Sequence, residues 1–155
     1  VGRDDGDGDG DGDGESYMPP AEGERMPPLV SPEAGEDGPL GVPGAIMRAA
    51  LDLTHPLTFG YEVGSIAVPV SGSDFYRPSE SGSSPVAFVG EDLAVAGFTW
   101  PENTQKFLEG TAWMIDEPLG RGRVVLFADD PNYRHLWPSL NRLFLNAILI
   151  GPTVR

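Results

Sequence analysis

Four side chains in this sequence could move a proton or attack a carbonyl: His135, the adjacent Asp129 and Asp130, and Ser139. All four fall within one run, "GRGRVVLFADDPNYRHLWPSLNRLFLNAILIG", from Gly120 to Gly151. There a glycine turn leads into an apolar strand, a polar loop and an apolar helix. The loop after a strand is where α/β proteins build active sites, and His135 with Asp129 or Asp130 would be the working parts of a hydrolase. Nucleophilic catalysis needs more, namely a serine or cysteine held against a base and an orienting acid. The chain has no cysteine and no GxSxG elbow. Ser139 stands where a helix starts, a place for a first-turn or capping residue. No catalytic residue is assigned.

Metal and phosphate chemistry fare no better. The histidines are 80 positions apart and form no HExxH, HxxE or HxH pattern, so they lack the spacing of zinc ligands. Neighbouring aspartates point in different directions and chelate one ion poorly, which leaves Asp129 and Asp130 to a solvated loop or to a salt bridge with Arg134. Gly120 and Gly122 precede their strand, whereas a phosphate-cradling loop follows a strand and opens onto a helix. They read as a tight turn.

Binding residues are easier to find. Trp100 and Trp137 lie in loops beside Pro101 and Pro138, and aromatic side chains dominate ligand-facing patches. With Arg134 and His135 they form the candidate ligand-binding set, for a peptide or a glycan. Trp113 lies in a strand and reads as core.

The elements that would position these residues follow from the pattern of charge and hydropathy. The formal net charge is −14, and residues 1–40 hold 12 acids against two arginines. So negative a chain repels phosphate backbones and anionic lipid, which argues against nucleic-acid and membrane-surface roles. No apolar run reaches the roughly 20 residues of a bilayer span. The stretch "DDGDGDGDGDGES" has little to bury against its backbone entropy, so residues 1–40 read as an acidic disordered linker or insertion. Its sharper reading is a calcium loop. Asp5, Asp7 and Asp9 with Gly10 fit the first half of an EF-hand, but Ser16 stands where a bidentate glutamate belongs.

Beyond Pro43, "PGAIMRAALDL" places Ile46, Ala49, Ala50 and Leu53 at helical spacing. Strand-like runs follow at 65–70, 85–89, 93–98, 111–116 and 123–128. Pro69 marks its run as an edge strand or a short one. "RVVLFA" is apolar on both faces and reads as the middle of a sheet. From Pro138 an apolar stripe on Leu140, Leu143, Phe144, Ala147 and Ile148 is widened by Leu145 and Leu149 until the helix needs cover on several sides. If Phe144 were fully buried, its truncation to alanine would cost about 3–5 kcal/mol.

Taken in order, His55-Pro56-Leu57 with Gly60-Tyr61, the block Gly120 to Phe127, Asp130-Pro131, Arg134 with Trp137, and Asn141 to Leu149 resemble the carboxy-terminal end of large bacterial secreted zinc carboxypeptidases of the carboxypeptidase A type. The resemblance spans about residues 43–150. It implies a class I glutamine amidotransferase-like, flavodoxin-like α/β domain, here in its C-terminal part over 43–151, with a short tail at 152–155. It implies further that the chain is a piece of a longer protein, partnered by an N-terminal peptidase domain of the same polypeptide and secreted or periplasmic. Zinc would belong to that parent, and no cofactor is expected in this chain. The expected role is a non-catalytic accessory domain, with a stand-alone peptide- or glycan-binding module as the alternative.

Overall fold

The computed structural model describes Arg25, Met26, Leu29 and residues 38–153. The calcium reading of Asp5, Asp7 and Asp9 lies outside the described residues. Among those described, six strands form one sheet: β1 (Val42–Leu51), β2 (Ser65–Gly72), β3 (Ser83–Ala87), β4 (Ala94–Phe98), β5 (Ala112–Leu119) and β6 (Gly122–Phe127). The order is β2-β1-β3-β5-β6. β1 gives Ala50 and Leu51 to β3 and Gly44 to Met47 to β4. Two helices accompany the sheet, α1 (Asn103–Leu108) and α2 (Pro138–Leu149).

Every ladder is antiparallel, and the sheet curls into a half-barrel. This corrects the expectation of a partial flavodoxin-like α/β domain, which requires a parallel sheet between helical layers. The connections explain the difference. Parallel neighbours need crossovers of a dozen or more residues, usually helical, whereas β5 and β6 are joined through Gly120-Arg121 alone. Gly120, at φ 59°, supplies the positive φ that such a hairpin turn demands. Between strands, the α-helix among the described residues is α1, of only six residues.

The helix expected from Pro43 is instead β1. Ala45, Met47, Ala49 and Leu51 are buried while Arg48 is exposed, the period-two alternation of a strand. Alanine at 45, 49 and 50 satisfies either spacing, and pairing with β2 and β4 decides between them, because tertiary contacts override helix propensity. Gly97 of β4, at φ 92°, lies so close that a Cβ there would stand 2.8 Å from the Ala45 Cα. The β1–β4 register shifts beside it, between Ile46 and Met47.

The expected central strand, β6, lies at an edge. Val124 and Leu126 face outward, and Arg123, Val125 and Phe127 are half-buried on the other side. Pro69 sits in β2, the opposite edge strand, where a missing N–H is tolerated. The core joins Met47, Leu51, Val68, Val86, Phe88 and Trp113 to Leu140 and Leu143 of α2, and Phe127 meets Trp113 edge-on at 5.7 Å. α2 is covered on one face only: Leu145, Ile148 and Leu149 are exposed, the last by 69%. Phe144 is half-buried against Phe127, so its truncation should cost less than a fully buried phenylalanine would.

The covered face of α2 is organised around the segment His55 to Tyr61. Asn146 donates from Nδ2 to the carbonyls of Leu57 and Phe59, each at 2.9 Å. Arg142 donates to the Gly60 carbonyl at 2.9 Å, and the Tyr61 hydroxyl donates to the Ser139 carbonyl. Ser139, Arg142 and Asn146 share one face of the helix, so the sequence blocks at 55–61 and 139–149 are two sides of one docking contact. Burial pushes the Tyr61 phenol up to about 12.

Candidate functional site

His55 stands alone in the sequence, but the fold surrounds it. Ser83 Oγ lies 3.0 Å from His55 Nε2, Asp116 Oδ2 lies 3.4 Å from the same nitrogen, and Arg123 Nε lies 2.8 Å from Asp116 Oδ1. The β5–β6 register sets Asp116 opposite Val125 and Pro118 opposite Arg123, which makes the acid and the arginine diagonal neighbours. The Asp116 side chain is fully buried. The composition is that of a Ser-His-Asp triad, and the geometry is not. A triad acid orients Nδ1–H and leaves Nε2 free to take the serine proton. Here Nδ1 accepts the Leu57 N–H at 3.2 Å, so the neutral ring carries its proton on Nε2 and presents a donor toward Ser83 and Asp116. In this tautomer Nε2 does not accept the Ser83 proton. Burial lowers the His55 pKa, against the raising pull of Asp116 and Asp52 and with some help from Arg123.

His55 and Ser83 of this cluster line a polar cleft of about 540 Å³, with Asp52, Thr54, Ser79 and Arg25 around them. Its serine loop is anchored on Glu117, which accepts from the Ser79 and Ser81 hydroxyls and is thereby held below the usual carboxylate range. Gly82 closes the loop against β5, where a Cβ would meet the Asp116 carbonyl at 2.1 Å.

A second concavity, of about 460 Å³, opens where β1 begins and β2 ends. Gly44, Ala45 and Ile46 of β1, Val70 of β2 and Gly97 of β4 give it apolar walls. Asp129, Tyr133 and Trp137 come from the segment between β6 and α2. Asp129 is fixed by two bonds: Oδ2 accepts from Ser71 Oγ at 2.8 Å, and Oδ1 accepts from the Asp130 N–H at 2.7 Å. Asp130 turns away to accept from the Asn132 N–H at 2.8 Å, so the two acids diverge. A concave, mostly apolar site with a few placed polar groups is the usual form of a ligand pocket.

Of the candidate binding residues, Trp137 lines this groove. Trp100 does not; it is 40% exposed, packs edge-on to Phe98 at 5.1 Å and donates from Nε1 to the Gly41 carbonyl at 2.9 Å. Arg134 is exposed, with its guanidinium 5.0 Å from the Tyr133 ring, and it makes no salt bridge to Asp129 or Asp130 among the described residues. His135 is exposed beside it. Both take positive φ, 51° and 53°, in a segment that brings Tyr133 and Trp137 to the groove. Ser139 lies in the first turn of α2 and offers its carbonyl to Tyr61; no hydrogen bond joins it to His135 among the described residues. Among the described residues no group of three or more His, Cys, Asp or Glu could hold a metal ion, and no helix is long and apolar enough to cross a membrane. Sequence reasoning missed Tyr133 and the whole β1 wall. The signal available for that wall was the alternation at Ala45, Met47, Ala49 and Leu51.

Compared with known proteins, the chain matches no family model, no curated protein and no solved structure.

Proposed function

We propose that this chain is a non-catalytic binding module that holds a side-chain-sized, largely apolar part of a ligand in the groove between β1, β2, β4 and the segment leading into α2. The observation that carries this reading is the convergence of Trp137, Tyr133 and a fixed Asp129 on an apolar concavity of about 460 Å³, within the size range of ligand sites. The competing chemistry at His55 is weakened by the tautomer that Leu57 imposes. Tryptophan fluorescence tests the reading, because Trp113 is buried and Trp137 lines the groove. Titration with short peptides and oligosaccharides should shift the emission of the parent chain and leave a Trp137→Phe variant unchanged. A flat response to every probe, or an equal shift in the variant, would contradict it.

A separate observation favours a second reading, an accessory unit of a longer polypeptide. Leu145, Ile148 and Leu149 on α2, with Phe59 and Val63, present apolar side chains outward, and large exposed apolar patches mark contact surfaces. The zinc carboxypeptidase that the sequence blocks resemble is the parent this reading proposes. Reading the coding frame upstream of Val1 tests it. An HxxE with a distant histidine would support it, and an upstream frame without them would remove it.

A further inference from the structure

The groove's polar equipment is one-sided. Its wall holds a carboxylate, Asp129, and among the described residues no Lys, Arg or His lines the groove and no cation pairs with that acid. The Ser71 and Asp130 bonds engage one lone pair on each oxygen and hold the carboxylate in place. A carboxylate can accept about four hydrogen bonds, so each oxygen can take a further donor from a ligand. The rings of Tyr133 and Trp137 stand on the same segment, and aromatic faces attract cations. One face of Tyr133 is already covered by the Arg134 guanidinium, which leaves the Trp137 indole as the open aromatic face on that segment.

Resting on the binding-module reading, we infer that the groove takes a lysine or arginine side chain presented by a peptide. The aliphatic stem lies along Ala45, Ile46 and Val70, and the cationic head meets Asp129 with the Trp137 indole beside it. Such side chains bury their methylenes while keeping the charge at a polar end, and that division matches the groove. A sugar matches it less well. A pyranose carries hydroxyls around its whole rim, and burying them against these aliphatic walls leaves donors and acceptors without partners, which is costly.

The test is a calorimetric titration of the full chain with three probes: acetyl-Ala-Lys-Ala-amide, the same peptide with norleucine in place of lysine, and an N-acetylglucosamine trimer. The lysine peptide should bind about tenfold or more tighter than the norleucine peptide, the advantage of one charge-assisted contact. Added salt should shrink that advantage, and in Asp129→Asn it should fall to within about twofold. The salt series uses the unaltered chain, so the inference stays testable if Asp129→Asn fails to fold. Equal binding of the lysine and norleucine peptides would overturn the basic-residue inference and leave the groove reading standing. Binding of the trimer without the peptides would do the same. Silence from all three probes would overturn both.

Discussion

His55 works through two nitrogens with opposite roles, and a second proton removes the distinction. The imidazolium has two donors, so Nδ1–H would face the Leu57 N–H and the turn Pro56–Thr58 would lose its cap. Burial holds the His55 pKa below 6.5, so on acidification the unfolded chain takes up this proton first. Between 6.5 and the lower folded value the unfolded state binds more protons, and stability falls as pH falls through that window. His55→Asn keeps an acceptor for Leu57 and removes the titration. From about pH 7 to about pH 5 its thermal midpoint should fall less than that of the parent chain. Equal slopes would place the sensitivity elsewhere. Glu117 acts lower: its stabilisation is complete above 4.5 and is lost as pH falls through its depressed folded value. The sequence marked His55 only as part of a short block. Ser83, Asp116 and Arg123 were invisible as its neighbours, because separations of 28 positions and more carry no geometric signal without the strand pairing.

At the scale of elements, the contact between α2 and the segment His55 to Tyr61 rests on a buried amide. Asn146→Ala removes two hydrogen bonds and strands the Leu57 and Phe59 carbonyls, which should cost about 2–3 kcal/mol. Chemical denaturation measures it, and a change under about 0.5 kcal/mol would show that the contact contributes nothing. α2 itself was legible, since its stripe at Leu140 and Leu143 is buried as the 3.6 period requires. Its apparent all-round hydropathy was misleading, because Leu145 and Leu149 face outward. The strands β2 to β6 were legible from valine and aromatic runs between turn residues. β1 was not, since nearly all of it lies where the spacing predicts a helix. Alanines at 45, 49 and 50 suit a helix locally, and the reason they form a strand is pairing with β2 and β4, the latter between residues some 50 positions apart.

Across the whole molecule, the sheet's antiparallel order sets what is available for binding. Pairing along the chain was beyond the sequence, since runs of valine say that strands exist and not which way their neighbours run. With the pairing came the groove, whose walls come from β1, β2 and β4 and whose aromatics come from the segment after β6. Trp137, a candidate binding residue in the sequence, lines the groove, whereas Trp100 and Arg134 belong to other surroundings. The outward face of α2 is a surface and not a core: Leu145→Lys with Leu149→Lys should leave the stability of the isolated chain within about 0.5 kcal/mol. A loss of several kcal/mol on denaturation would mean that this face is packed.

The most direct measurement is a backbone amide NMR titration of the chain with acetyl-Ala-Lys-Ala-amide. The binding-module account predicts shifts that cluster at Gly44 to Ile46, Val70, Gly97 and the Trp137 indole, with the amides around His55 and Ser83 unmoved. Shifts confined to the His55 cleft, or none at all, would contradict it.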